Sequence, residues 1–226
     1  MITDRDGAAC EETARRIGAG AVGLAADVRN PDAVEDLVSR VMDRFSRIDV
    51  LVNNAAAKSP NFFAPFTDFP VEDWNEVMGV NVTGVFLFAR SVGRRMAERG
   101  SGSIINVASI YGVVGPDARI YEGSEYGGAA INTPAVYSVS KGAVVNMTRY
   151  LATYWGPRGV RANALTPGGV QSGQNEEFVK KYSERVPLGR MARQDELQGA
   201  VVYLASDASR YVTGHNLMVD GGWTVW

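Results

Sequence analysis

The residues best suited to chemistry in this chain are a phenol and an ammonium four positions apart, Tyr137 and Lys141, in the run Tyr137-Ser138-Val139-Ser140-Lys141. On a helix that spacing puts both on one face. Free tyrosine titrates near 10, too high to exchange protons readily at neutral pH. A cation held close favours the phenolate and lowers that value, and each unit corresponds to about 1.4 kcal/mol. A drop of two or three units asks for roughly 3–4 kcal/mol, which one lysine and a bound cofactor's positive charge would supply. The pair then works as a general acid/base unit. The same spacing also describes a tyrosine and a lysine on an exposed helical face, so the surrounding elements decide between the two.

Those elements alternate. Met1 to Asp4 reads as the end of a strand, and Asp6 caps a helix over about Gly7 to Ile17 that Gly18 closes. Ala21 to Ala26 is a short strand ending at Asp27-Val28. Asn30-Pro31 starts a helix with a cap and a first-turn proline, and Val34, Leu37, Val38, Val41 and Phe45 form its apolar stripe. Ile48 to Val52 is expected as a strand buried on both faces, ending at Asn53-Asn54. A long helix is predicted from about Val71 to Glu98, then a strand from Gly102 to Val107 that ends at Ala108-Ser109. After a loop from Tyr111 to Thr133, Pro134 opens the helix that carries Tyr137 and Lys141. Val160 to Leu165 is a strand stopping at Thr166-Pro167-Gly168; Glu176 to Arg185 and Gln194 to Leu204 read as helices, and Asn216 to Val219 as a last strand.

Strands alternating with helices mean an α/β domain with a parallel sheet wound on both faces. In such sheets ligands bind beyond the carboxyl ends of the strands. Asp27, Asn53, Ser109 and the Thr166 turn all fall at such ends. The chain of 226 residues is read as one domain, 1–226.

Composition excludes several functions. A net charge of -2 argues against a nucleic-acid or anionic-membrane surface. The single cysteine, Cys10, leaves no internal disulfide and fits a reducing compartment. The single histidine, His215, leaves almost no material for a histidine-based metal site or a Ser-His-Asp triad, so no metal is expected. No apolar run approaches the ~18–20 residues of a membrane span, and the expected setting is cytoplasmic.

With Tyr137-x-x-x-Lys141, Ser109 at a strand end, Asn53-Asn54-Ala55-Ala56, Asn81-Val82-Thr83-Gly84 and Pro167-Gly168, the chain resembles the short-chain dehydrogenase/reductase family from Asp4 to its end. The resemblance implies a Rossmann-like, three-layer sheet. It implies reversible hydride transfer between NAD(P) and an alcohol or carbonyl carbon. Tyr137 is implied as general acid/base, and Lys141 as the residue that holds the nicotinamide ribose and lowers the phenol. Ser109 would bond the reacting oxygen, and Asn81 would hold a water in a proton relay. Asp27 and Val28 match contacts to adenine; Asn53 and Ala55 line the cofactor cleft; Pro167, Gly168, Val170 and Ser172 match the turn at the nicotinamide carboxamide. Ala56 stands where the family has glycine, and Ser172 where threonine is common. Asp4 matches the acidic strand end that binds the adenosine ribose and favours NAD over NADP by repelling a 2′-phosphate, although Arg5 beside it works the other way.

The family's glycine-rich phosphate loop is expected ahead of Asp4, and the sequence begins at what reads as the second strand. The first strand, loop and helix, roughly 30 residues, are expected to be missing from it. The formal G-x-G-x-x-G match at Gly18, Gly20 and Gly23 has a helix before it and a strand after it, the reverse of the fingerprint, and reads as a helix stop and a turn.

The stretch from Gly115 to Thr133 is longer than the family's usual link between the serine and tyrosine. With Tyr111 at its start, it offers Arg119, Tyr121, Glu122, Tyr126 and Asn132 to a small polar substrate such as a sugar, polyol or hydroxy acid, or packs on a neighbouring subunit. Arg119 is expected to pair with a substrate carboxylate or with Glu122. A 3-oxoacyl thioester is the alternative substrate class. The competing reading is a silent scaffold or partner subunit unable to bind cofactor. The resemblance implies a homo-oligomer, dimer or tetramer, assembled through the helices that here carry Val85, Phe86, Val144 and Val145, and Trp223 and Trp226 at an exposed tail point to an interface. His215 and Cys10 read as structural.

Overall fold

The computed structural model describes residues 1–126 and 129–226; Gly127, Gly128 and the side chains of 126–129 lie outside it, and the expected contribution of Tyr126 falls there. In chain order the elements are β1 (Ile2–Asp4), α1 (Gly7–Ile17), β2 (Gly23–Ala25), α2 (Pro31–Phe45), β3 (Val50–Asn53), α3 (Val71–Met78), α4 (Val85–Arg99), β4 (Gly102–Val107), β5 (Glu125–Tyr126), β6 (Ala129–Ala130), α5 (Ala135–Trp155), β7 (Val160–Pro167), α6 (Glu176–Glu184), α7 (Gln198–Ala205) and β8 (Asn216–Val219). Local chemistry sets the boundaries. The Asp6 carboxylate accepts from the Ala9 N–H at 3.0 Å and starts α1. The Asn30 side chain accepts from Asp32 and Ala33 at 2.9 and 3.2 Å, with Pro31 in the first turn of α2.

Four strands form a parallel sheet in the order β3-β4-β7-β8. β1 and β2 pair in parallel as a separate sheet, and β5 and β6 make a small antiparallel pair. One helical layer underlies both parallel sheets: Val34, Leu37 and Val38 of α2 pack with Leu24 and Ala26 by β2, with Leu51 and Ile104 of the larger sheet, and with Phe88, Val92 and Trp155. On the opposite face Leu204 of α7 packs on Ile105 and Leu165. The three-layer, doubly wound architecture is therefore as expected.

Two elements differ from the sequence reading. The helix predicted from Val71 to Glu98 is interrupted: α3 and α4 are separated by a π-helical turn over Gly79–Gly84. Two glycines bracket it, which weakens the regular ladder there. Gly84 must also stay small, because a Cβ would meet Val28 Cγ2 at 2.8 Å. π-turns inside helices often mark functional positions. Second, β3 is not buried on both faces: Val52 is 43% exposed. Among the described residues only β4 pairs with it, and its other edge faces β1 across an open cleft of about 970 Å³.

Candidate active site at the strand tips

β4 is an inner strand of its sheet, and Ile104 and Ile105 are fully buried in it. Its carboxyl end delivers Ser109, which is buried and in extended backbone. α5 runs past that end. The Lys141 ammonium, 4% exposed, donates to the carbonyl of Val107, the last residue of β4, at 2.8 Å. This bond ties the helix to the strand tip. Gly112 permits the approach from the other side, since a Cβ there would meet the Lys141 backbone at 2.6 Å. The Tyr137 ring packs edge-on to Phe62 at 6.3 Å, and the Lys141 ammonium lies 5.8 Å from its centroid. The Ser109 hydroxyl lies against the phenol. Tyr137, Ser109 and Lys141 thus meet at one corner.

The electrostatics correct one expectation. Burial raises the Tyr137 phenol above its ordinary value, and the Ser109 hydroxyl offsets this only in part. Burial also lowers Lys141, to about 8. In a site this dry, the cost of desolvating each charge outweighs the attraction between them. The protein alone therefore keeps Tyr137 protonated, a proton donor, rather than softening it toward phenolate.

Asn81 sits in the π-turn and is fully buried rather than facing solvent. Its Oδ1 accepts from the Ala57 N–H at 3.0 Å, and its Nδ2 donates to the Ser140 hydroxyl at 3.0 Å. Ser140 in turn donates to the Tyr137 carbonyl at 2.8 Å. Asn81 therefore joins the loop after β3 to the helix that carries Tyr137. Ser140 was not singled out in the sequence, although its place between Tyr137 and Lys141 was a signal.

The expected cofactor residues divide. Asp4, Asp27, Val28, Asn53 and Ala55 all line the cleft between β1 and β3. Asp4 and Ala55 are exposed to it. Asp27 is committed to Arg29, whose guanidinium holds the carboxylate at 2.7 Å and keeps it below the ordinary range. Asn53 is buried and donates to Asn106 at 2.8 Å, and Asn106 donates to Thr148 at 2.9 Å, a polar chain locking β3, β4 and α5 together. At the end of β7, Gly168 is pressed against Asp220, where a Cβ would stand 2.8 Å from its Cα. Val170 bridges to Ala192, and Ser172 bonds Gln174 at 3.1 Å through its hydroxyl. The residues expected at the nucleoside and nicotinamide ends thus lie at or just beyond strand tips. No glycine-rich turn among the described residues leads from a strand into a helix at this cleft. Gly18, at φ +66°, closes α1 and Gly20, at φ +78°, turns the chain, as read, whereas Gly23 lies in β2 and packs on the Cys10 backbone.

The long segment after Ser109 folds onto α6. Arg119 is a correction: its guanidinium is spent on Asp117, at 2.8 Å, not on Glu122, and its side chain is 76% exposed. Asp117 also binds Arg185, and the two arginines hold its carboxyl down at about 2. Tyr111 and Tyr121 are half-buried, with their hydroxyls 2.8 Å apart, and Tyr121 stacks toward Phe178 of α6. The Tyr182 hydroxyl accepts from the Gly169 N–H, and its ring stacks on Trp223 at 4.3 Å. Trp223 is thus buried core rather than exposed tail; Trp226 is exposed. Val85, Val144 and Val145 are likewise core, which leaves Phe86 of that group on the surface. His215 is structural, its backbone bonded to Asn163 and Ala164. Cys10 is buried. Among the described residues no cluster could hold a metal ion, and no helix is long and apolar enough to cross a membrane.

This geometry, a proton-donating phenol, a hydroxyl and a lysine at the tips of a doubly wound sheet, agrees with the comparisons. The short chain dehydrogenase family model matches residues 1–183. Galactitol 2-dehydrogenase (L-tagatose-forming) of Cereibacter sphaeroides is 34% identical over 236 residues, covering all of this chain and 85% of that protein. The 3-oxoacyl-[acyl-carrier-protein] reductase of Synechocystis is 34% identical over 207 residues, 91% of this chain and 76% of that one. Among solved structures, a gluconate 5-dehydrogenase from Burkholderia cenocepacia in complex with NADP and tartrate superposes with a TM-score of 0.83 at 33% identity, covering 100% of this chain and 85% of its own. The chain belongs to the short-chain dehydrogenase family, NAD(P)-dependent oxidoreductases acting on CH–OH groups.

Proposed function

We propose that this chain interconverts a secondary alcohol and its ketone on a small polyhydroxylated substrate, a sugar, polyol or hydroxy acid, with NAD preferred to NADP. The observation that carries the reading is the convergence of Tyr137, Ser109 and Lys141 at the end of β4, fastened by the Lys141–Val107 bond. When bound, the nicotinamide gives or takes the hydride. Tyr137 supplies the proton to the carbonyl oxygen during reduction and removes it from the hydroxyl during oxidation. Ser109 orients that oxygen, Lys141 neutralises charge beside it, and Asn81 keeps α5 in register with the loop lining the cleft. Because burial holds Tyr137 protonated, the protein is set for the reducing direction near neutral pH, and oxidation gains as pH rises.

Asp4 carries the cofactor preference. It ends β1, lines the cleft and is exposed to it. Asp27, Val28, Asn53 and Ala55 would bound the adenosine, while Pro167, Gly168, Val170 and Ser172 would bound the carboxamide. For assembly as a dimer or tetramer, the exposed stripe Val139, Tyr150 and Tyr154 of α5, with Phe86 of α4, is the surface we favour. Its occupant is a second copy.

The test is a panel of galactitol, gluconate, simple ketones and a 3-oxoacyl thioester with both cofactors, run beside Tyr137→Phe. Turnover of polyols that disappears in the variant supports the reading. Turnover confined to the thioester would replace the substrate class. NADH fluorescence that does not change on titration with the chain would leave a scaffold in place of an enzyme.

A further inference from the structure

Tyr182 is 3% exposed on the inner face of α6, in the apolar cluster of Phe178, Val186, Met191 and Trp223. Its ring is held by two others, stacked on Trp223 at 4.3 Å and tilted against Phe178, one helical turn back, at 5.8 Å. A phenylalanine would fill the same space without taking a hydroxyl out of water. What the hydroxyl adds is an acceptor for the Gly169 N–H. Burial raises the phenol to about 12, so it stays neutral at this bond.

Gly169 lies just past the end of β7, in a turn braced by its neighbours. The Gly168 N–H donates to the Val219 carbonyl, the Ala192 N–H to the Gly169 carbonyl and the Gln171 N–H to the Ala192 carbonyl, each at 2.9 Å. These partners are backbone, whereas the Gly169 N–H is met by a side chain from another element. A Cβ at Gly169 would meet Tyr182 Cζ at 2.6 Å and Met191 Cε at 2.9 Å, so the backbone rests directly on the phenol. Register places this turn beside the reacting corner. Val107 of β4 pairs with Leu165 of β7, and the Ala108 N–H donates to the Leu165 carbonyl at 2.8 Å. Continued past the strand ends, that register brings Ser109 level with Pro167, across a strand spacing of about 4.8 Å. Tyr121, whose phenol interacts electrostatically with that of Tyr137, interacts in the same way with Tyr182.

We propose that Tyr182 is a positioning residue for hydride transfer: by accepting the Gly169 N–H it fixes the turn over 167–170 at the strand tips, and that turn sets the depth at which a nicotinamide lies beside Ser109 and Tyr137. This rests on the hydride-transfer reading above and deepens it. In this role Tyr182 acts through the backbone, not by contact with the reacting atoms. A transfer between two held carbons is sensitive to such support, since a misplacement of about 1 Å costs on the order of 10²-fold in rate. α6 thereby shapes the nicotinamide end of the site without contributing a side chain to it.

The experiment uses the full chain. Wild type and Tyr182→Phe are titrated calorimetrically with NADH and with ADP-ribose, which lacks the nicotinamide. Both are also compared in turnover of the panel alcohol that the wild type oxidises fastest. Tyr182→Phe keeps the ring and removes the acceptor. It is expected to weaken NADH about five- to tenfold, the size of one neutral hydrogen bond, while ADP-ribose stays within about twofold. In turnover kcat should fall by a similar factor and the KM for the alcohol should not move. Should Tyr182→Phe not fold by circular dichroism, Gly169→Ala, whose methyl displaces the phenol, carries the test with the same split between the two ligands. Equal losses for NADH and ADP-ribose would make Tyr182 a support of the fold alone and overturn the proposal, as would no loss for either. Wild-type turnover that Tyr137→Phe abolishes and Tyr182→Phe leaves untouched keeps the hydride-transfer reading and sinks the proposal alone. A wild type that does not bind NADH removes that reading and the proposal with it.

Discussion

β4 and β1 are both short parallel strands whose carboxyl ends carry residues expected to serve one reaction, yet their surroundings differ. β4 is paired on both sides, by β3 and β7, and its tip is fastened by Lys141 and by the Asn53–Asn106–Thr148 chain. Among the described residues β1 is paired only by β2, and its other edge lines the cleft. The corner around Tyr137 is largely buried and cross-bonded; the side proposed for adenosine is a two-stranded sheet resting on α1 and α2. Chemistry that depends on placing a proton demands the first kind of environment. Contacts to a nucleoside, spread over several residues, tolerate the second.

The sharpest way to break this contrast is at the phenol. Tyr137→Phe removes one hydroxyl from the closed corner and leaves the packing on Phe62 in place. Turnover is expected to fall by about 10³-fold, within the usual range for a general acid/base, with the unfolding midpoint nearly unchanged. Residual activity above a tenth of wild type would move the acid elsewhere. Hydrogen exchange then compares the corners directly. Amides of β4 and β7 should exchange at least ~10²-fold more slowly than those of β1, because opening β1 exposes one paired edge and little core. Equal protection would mean that the two sheets open as one unit.

Lys141 sharpens the comparison through pH. Its folded value is about 8, against about 10.4 for an unfolded lysine. Between these the unfolded chain holds a proton that the folded chain does not, so stability rises with pH; below 8 both hold it and the cost of burying the charge is fully present. Relative to Lys141→Met, the wild type should gain up to ~2 kcal/mol between pH 7.5 and 9.5 in denaturant titrations. A flat difference would mean that the ammonium is not desolvated. A smaller contrast comes from two glycines. At Gly93 a Cβ would stand 2.3 Å from the Trp155 ring, whereas at Gly20 nothing lies within 4 Å but φ is +78°. Gly93→Ala should cost about 2 kcal/mol by overpacking, and Gly20→Ala about 1 kcal/mol by backbone strain alone.

How much of this was legible follows the same division. Periodicity, caps and strand ends gave nearly every element of the closed half, because Asn30-Pro31, Pro134 and the apolar run at 102–107 act locally. Tyr137, Ser109 and Lys141 were legible as a spacing and a strand end. Their electrostatics were not, since desolvation depends on how many neighbours bury a charge, which no spacing encodes. The break at Gly79–Gly84 was hidden for a similar reason: a π-turn keeps a helix-like pattern and is fixed by the Asn81 bonds to Ala57 and Ser140. Arg119 was misassigned because Asp117, two residues back, is as near in sequence as Glu122, and only the fold chooses between them.

The open corner itself is tested most gently by cofactor choice. Asp4 lines the cleft, and its carboxylate accepts from the Asp6 N–H at 3.1 Å. Asp4→Asn keeps that acceptor and the start of α1 while removing the charge. If Asp4 faces the adenosine ribose, the loss of repulsion should raise kcat/KM for NADP relative to NAD about fivefold, the effect of one partly screened charge across an exposed cleft. Raising the salt concentration should shrink the wild-type preference in the same direction, and stability should not move. A preference that survives the substitution would place discrimination with Arg5 or with the Asp27–Arg29 pair, which also lines that cleft. Asp27→Asn, which loosens Arg29, would then be the variant that shifts the ratio toward NADP, because a freed arginine pairs with a phosphate as readily as with a carboxylate.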